Sequence, residues 1–220
     1  MNNNIQIISI EGNIGSGKST VVNALKQEYS GNITGTNSIY FLEEPVNEWT
    51  QIKDILGKNI IEKFYENQER YSFSFQMMAY ISRLAMLKRA IKECQEKGIR
   101  IIVCERSLQT DKNVFCKMLY NSNKIEKVEY EIYNKWFDEF ITEIPPIKFV
   151  YIKTDPQIAY QRVNKRNRKG ETIDLKYLEM CSIYHDTWLL FGEEIETLNV
   201  DGNKDYEDVL KLVKFIINNI

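Results

Sequence analysis

The sequence predicts an α/β fold, a five-stranded parallel sheet with helices on both faces. Three observations carry this. Short β-branched runs alternate with stretches of helical periodicity. The first run leads straight into glycines and then a helix, as a buried parallel strand does. Each of the four prolines, Pro45, Pro145, Pro146 and Pro156, stands at an element boundary. The first strand is expected at 5–10, where isoleucines dominate, and a helix at 20–29 carries Val21, Val22, Ala24 and Leu25. A strand at 39–42 ends in Glu43-Glu44-Pro45. Helical periodicity then runs from 60 to 97 in two segments. The second is long, with Phe75, Met78, Ala79, Leu84, Ala85, Leu87 and Ile91 on its apolar side and Gly98 as its stop. The clearest strand, 99–104, leads directly into Glu105-Arg106-Ser107. Helices are expected at 109–120 and 125–141, a strand at 148–152, and helices at 156–167, where Pro156 suits the first turn, and 175–190. A strand at 196–200 and an amphipathic helix at 205–217 close the chain. No composition break divides it, so residues 1–220 read as one domain.

Composition narrows the class. Of 220 residues, 43% are hydrophobic and 27% charged, enough for a packed core and unlike disordered, collagen-like or coiled-coil chains. With 29 Lys and Arg against 31 Asp and Glu, the net charge is -2, which disfavours blanketing a nucleic-acid backbone. Met1-Asn2-Asn3-Asn4 is not the start of a signal peptide, and no run approaches about 18 apolar residues, so a soluble cytoplasmic protein without a membrane partner is expected. Cys94, Cys104, Cys116 and Cys181 show no C-x-x-C pairing and read as reduced structural thiols. His185 is the single histidine, read as a surface or packing residue, so His-centred metal sites and Ser–His–Asp triads have little material.

The chemistry begins at Gly12-Asn13-Ile14-Gly15-Ser16-Gly17-Lys18-Ser19, followed by Thr20. It fits G-x-x-x-x-G-K-[ST] between a strand and a helix. The glycines let successive N–H groups turn inward, and the helix N-terminus adds positive partial charge. Lys18 can reach outer phosphates, and the Ser19 hydroxyl can ligate Mg²⁺. Such a loop says only that a nucleotide binds. In a doubly wound sheet, ligands sit beyond the carboxyl ends of the strands, where this chain carries Glu43-Glu44, Glu105-Arg106 and Asp155. Side chains alternate along a strand, so one of Glu43 and Glu44 faces the site. That carboxylate can act as a general base toward a hydroxyl. Spacing alone fits a solvated acidic turn as well. Glu105 stands where a metal-holding acid would be, and Arg106 could stabilise phosphoryl charge, although a plain surface ion pair fits the same spacing.

Several further stretches resemble the deoxynucleoside kinases of the deoxycytidine kinase and deoxyguanosine kinase type. They are Ile10-Glu11-Gly12-Asn13-Ile14, Glu44-Pro45-Val46 with Trp49, and 69–76 (Glu-Arg-Tyr-Ser-Phe-Ser-Phe-Gln). Ser82-Arg83, Glu105-Arg106-Ser107 with Asp111, and the basic stretch from Arg162 to Arg168 complete the set, so the resemblance spans residues 5–208. It implies a P-loop kinase with an Arg-rich lid at about 162–172, using ATP or another nucleoside triphosphate with Mg²⁺. Glu44 is then the base for the sugar 5′-hydroxyl, Glu105 belongs to the metal environment and Arg106 lies near the 5′-oxygen and phosphates. Gln76 pairs with the nucleobase edge, Tyr65 and Glu171 hold the 3′-hydroxyl, and Trp49, Phe64, Phe75 and Phe115 belong to the substrate pocket. Arg83 and Asp111 occupy the places of an Arg–Asp pair found in relatives that take cytidine or purine deoxynucleosides. Arg166 and Arg168 face the donor phosphates and Arg162 its adenine; Asp205 and Tyr206 fall in the loop that meets the donor base. Between Arg168 and Leu175 the chain is about one residue shorter than the family pattern. A homodimer through the long helix ending near Lys97 and the 125–141 segment is expected, as is the absence of a nucleic-acid partner. A nucleoside monophosphate kinase of thymidylate type and a non-catalytic P-loop module remain open alternatives.

Overall fold

The computed structural model describes residues 5–29, 38–168, 170–192 and 195–219. Its sheet has five strands in the order β2-β3-β1-β4-β5, and every neighbouring pair is parallel. The strands are β1 (Gln6–Glu11), β2 (Ile39–Leu42), β3 (Ile101–Glu105), β4 (Ile147–Lys153) and β5 (Thr197–Asp201). Alternation assigns their faces. Ile7 and Ile102 enter a core with Tyr80, Leu87 and Tyr133, whereas Ile8, Ile10 and Val103 enter another with Val22, Leu25 and Val213. The strand order reverses about β1, which opens a crevice above its carboxyl end.

Around the sheet run α1 (Lys18–Tyr29), α2 (Val46–Gln51), α3 (Ile60–Glu66), α4 (Gln68–Lys97), α5 (Leu108–Thr110), α6 (Lys117–Asn121), α7 (Lys127–Ile141), α8 (Pro156–Arg166), α9 (Leu175–Leu189) and α10 (Tyr206–Asn218). The break between α3 and α4 is Asn67. Its N–H donates to the Lys63 carbonyl while its side chain accepts from Arg70 N–H, closing one helix and capping the next. Gly98 ends α4 with φ 70°, as expected of a left-handed stop.

Two elements differ from expectation. Helix α2 is too short to show a period, and it forms because Pro45 opens it and Trp49 has a core to enter. The helix expected at 109–120 is interrupted: a π-helical stretch, Asp111–Cys116, joins α5 to α6. Such wide turns gather at functional sites, and no composition rule announces one. Among the described residues no helix is long and apolar enough to cross a membrane.

His185 packs rather than binds. It lies parallel to Tyr151 with centroids 6.0 Å apart and edge-on to Phe115 at 6.2 Å, fully buried, with Nδ1 2.7 Å from the Cys181 carbonyl. Burial pushes its pKa down to about 3. Unfolding therefore takes up a proton between about pH 3 and the ordinary histidine range near 6.5, and stability falls as pH drops through that window. Urea unfolding at pH 7 and pH 5 should show about 2 kcal/mol more loss in the wild type than in His185→Gln, at about 1.4 kcal/mol per proton per pH unit. Equal losses in both proteins would contradict this.

Candidate active site

The phosphate loop owes its shape to close approach. Gly15 has φ 80°, and a Cβ there would stand 2.4 Å from the Ala159 carbonyl oxygen of α8. Asn13 Nδ2 donates to the Leu178 carbonyl at 2.8 Å, tying the loop to α9. Lys18 Nζ donates to the Asn13 carbonyl at 2.8 Å, curled inside the loop. Burial first, and Arg106 next, depress its pKa to about 7 against the opposing pull of Glu105, Glu44 and Glu11. Ser19 Oγ donates to Glu105 Oε1 at 2.8 Å.

At the end of β2, strand alternation separates the two glutamates. Glu43 turns out to Lys26 at 2.7 Å, with about half of its side chain exposed. Glu44 turns in, where its Oε1 accepts from Arg106 Nη1 at 2.9 Å and Arg83 Nη2 at 3.0 Å. Burial alone would raise the Glu44 pKa, but the two guanidiniums, with Lys18 behind them, outweigh it and hold the pKa at about 2.

Arg106 has φ 61°, a left-handed conformation that costs a non-glycine residue roughly 1–2 kcal/mol. Its N–H donates to the Ile10 carbonyl at 3.1 Å, and its guanidinium lies 5.0 Å from the Phe115 ring centroid. It is buried, not a surface ion pair. Arg106 Nε and Nη2 and Gln76 Oε1 are buried polar atoms without a partner among the described residues. Arg83 completes a fork, with Nε on Asp111 Oδ2 at 2.9 Å and Nη1 on the Glu105 carbonyl at 2.8 Å. Burial raises the Asp111 pKa in spite of that partner.

Most of these groups border one cavity of about 550 Å³. The phosphate-loop residues Ile14, Gly15, Ser16, Gly17, Lys18, Ser19 and Thr20 line it, as do Arg162 and Tyr206, and so do Trp49, Phe64, Tyr65, Phe75, Gln76, Asp111 and Phe115. Glu44, Glu105 and Arg106 lie on its wall, as do Arg166, Arg168 and Glu171. Trp49 stands edge-on to Phe75 at 5.5 Å, fixed by a 2.8 Å bond from its Nε1 to Ser82 Oγ. Burial, then Glu171, pushes the Tyr65 hydroxyl pKa up, so it stays protonated. Glu171 reaches the cavity and pairs with Arg166.

Four expected site residues do not line the cavity. Gly12 serves packing, since a Cβ there would meet the Ile152 carbonyl oxygen at 2.6 Å. Asn13 spends its side chain on Leu178 and on Ile14 N–H, and Arg83 stands behind Glu44 and Asp111 rather than in the cavity. Asp205 is exposed and gives α10 only its carbonyl, without a side-chain cap. Asp155 caps α8 through Gln157 N–H at 2.8 Å. Arg162, expected beside adenine, lines the cavity while it bridges the carbonyls of Ser16 at 3.4 Å and Gly202 at 3.2 Å. Lys169, directly after the basic stretch, lies outside the described residues. Sequence reasoning missed Val21, Ile61, Ala79, Tyr177 and Val209 as lining residues, and the apolar ones carry no chemical signature; Gly202 and Lys204 lie in the 201–208 loop expected to meet the donor base but were not singled out there.

Comparison with known proteins agrees with this geometry. A family model described as "Deoxynucleoside kinase" matches residues 8–220. The chain is 31% identical to the deoxycytidine kinase of Mus musculus over 93% of its length and 86% of the relative's. It is 33% identical to a probable deoxycytidine kinase of fowlpox virus, over 97% of this chain and 86% of that one. It is also 33% identical to the mitochondrial thymidine kinase 2 of Homo sapiens, over 94% and 74%.

Proposed function

The chain belongs to the deoxynucleoside kinase family of ATP-dependent phosphotransferases, and from that premise we propose that its cavity passes the γ-phosphoryl of ATP to the 5′-hydroxyl of a deoxynucleoside bearing an amino-substituted base. The observation that carries the reading is Glu44, a largely buried carboxylate on the cavity wall, held between two guanidiniums. With its pKa near 2 it is ionised at every working pH and accepts the hydroxyl's hydrogen bond without first losing a proton. So low a pKa makes it a weak base, which suits phosphoryl transfer, where positioning and electrostatics do most of the work. Arg106, with two donors unspent, lies where phosphoryl charge would develop, and Lys18 gains a phosphate partner when it leaves the Asn13 carbonyl.

Ser19 Oγ and Glu105 Oε1, 2.8 Å apart beside the loop, are the hard oxygen donors that Mg²⁺ takes together with phosphates. Bound there, the ion would offset phosphate charge. Arg166 and Arg168 belong to a lid over the donor, and Tyr65 and Glu171 hold the sugar's 3′-hydroxyl. The exposed Ile81 of α4 and Ile132 and Trp136 of α7 support a homodimer.

For the base, Asp111 and Gln76 offer polar atoms on the cavity wall, and Arg83, paired with Asp111 from behind, holds that carboxyl where a thymine methyl would need room. A coupled assay of the four deoxynucleosides, with ATP and UTP as donors, should give deoxycytidine or a purine deoxynucleoside a kcat/KM at least tenfold above thymidine. Thymidine ranking first would overturn the preference. Faster transfer to a deoxynucleoside monophosphate than to any deoxynucleoside would replace the reading with a monophosphate kinase, and no acceptor-dependent ATP use at all would leave a binding module.

A further inference from the structure

Glu11 closes β1, one residue before the phosphate loop, and its side chain does not line the cavity. It is fully buried, and among the described residues its hydrogen bonds come from three hydroxyl groups. Oε1 accepts from Ser9 Oγ and Ser107 Oγ, each at 2.7 Å, and Oε2 accepts from Thr110 Oγ1. Lys18 feels the charge of this carboxylate, but the carboxylate's hydrogen bonds come from neutral hydroxyls, a costly arrangement for a buried group of its kind. Its position explains it. Ser107 and Thr110 form a reciprocal cap at the start of α5, with Thr110 N–H donating to Ser107 Oγ at 3.2 Å and Ser107 N–H to Thr110 Oγ1 at 3.3 Å. Arg106, immediately before that cap, has the left-handed backbone, and Asp111, immediately after Thr110, begins the π-helical stretch. The N–H of Arg106 is itself held by Ile10, the neighbour of Glu11 on β1.

We propose that Glu11 is a positioning residue for the transfer reaction: through Ser107 and Thr110 it clamps the turn after β3, and so sets where Arg106 meets Glu44 and where Asp111 meets Arg83. The inference rests on the kinase reading above. Glu11 touches no substrate in it. The two carboxyl oxygens accept from all three hydroxyls, whereas a glutamine in its place would turn an NH₂ toward one of them. The turn would then relax toward an ordinary backbone and carry Arg106 away from Glu44, a displacement of a kind that costs up to about a hundredfold in rate.

The test uses Glu11→Gln and Thr110→Val, with Thr110→Ser as the conservative partner, each assayed by steady-state kinetics and thermal melting. The expected result is a kcat lowered at least tenfold in Glu11→Gln and Thr110→Val, with KM for both substrates within about threefold of wild type. Thr110→Ser, which keeps the hydroxyl, should return kcat to within about twofold. Melting temperatures that fall while kcat holds, or Thr110→Val and Thr110→Ser losing kcat equally, would overturn the inference and leave the cluster a packing feature. If Glu11→Gln does not fold, the valine and serine pair decides alone. An active wild type with unaffected variants refutes only the positioning role; an inactive wild type refutes the kinase reading and this inference with it.

Discussion

Replacing Glu44 with Gln should lower kcat by about 10²–10⁴-fold, the range that a positioned general base contributes. The amide keeps the size of the side chain and still offers an oxygen to Arg106 and Arg83, now 2.9 Å and 3.0 Å from the carboxylate, but it cannot take up the hydroxyl proton. Nucleotide affinity should hold or improve, since the change removes a negative charge near the phosphates. The signature is thus a selective loss of kcat with ATP dissociation constant and melting temperature close to wild type, read by a coupled assay, calorimetry and thermal unfolding. A Glu44→Gln enzyme within about threefold of wild-type kcat would remove the central carboxylate from the mechanism.

Arg106→Met should cost about 10²–10³-fold in kcat, the penalty for losing one preorganised donor to developing charge. Methionine keeps the aliphatic bulk and, like arginine, carries a Cβ, so the strain of φ 61° is common to both proteins and cancels in the comparison. What changes is the electrostatics around Glu44. Burial pushes the Glu44 pKa up and Arg106 is the largest influence opposing it, so removing Arg106 moves that pKa upward from about 2. The wild type should show no acid limb from Glu44 above pH 5. The variant's remaining kcat/KM should fall as pH drops, because the active form is the deprotonated one. Profiles of kcat/KM from pH 5 to pH 8 check both statements, and parallel profiles for the two proteins would refute the second.

Much of this site was legible along the chain because its motifs are local. A phosphate loop is eight consecutive residues after a strand, and Glu105-Arg106-Ser107 is contiguous, so the chemistry can be read without knowing what lies across from it. Glu43 and Glu44 mark the limit. Their spacing says that one faces the cavity, but which one depends on the pleat of β2 against β3, and the structure selects Glu44 by giving Glu43 to Lys26. Arg83 shows a different limit. The resemblance implied a pair with Asp111, and the fork is present, yet Arg83 also binds Glu44 and the Glu105 carbonyl, contacts that no local pattern announced. Asn13 and Arg162, expected at the nucleotide, are partly or wholly committed to backbone carbonyls that only close packing of α9 and of the Gly202 turn brings near.

Local chemistry was therefore enough to establish strand and helix order, the nucleotide loop and the pool of charged groups at the strand ends, since periodicity, capping and glycine tolerance act over a few residues. Packing across the sheet alone settles which glutamate turns inward, how Arg106 is held in its left-handed turn, and where the π-helical stretch sets Asp111. Those outcomes depend on contacts between segments up to about a hundred residues apart, such as Glu11 with Thr110, whose energies no local pattern records.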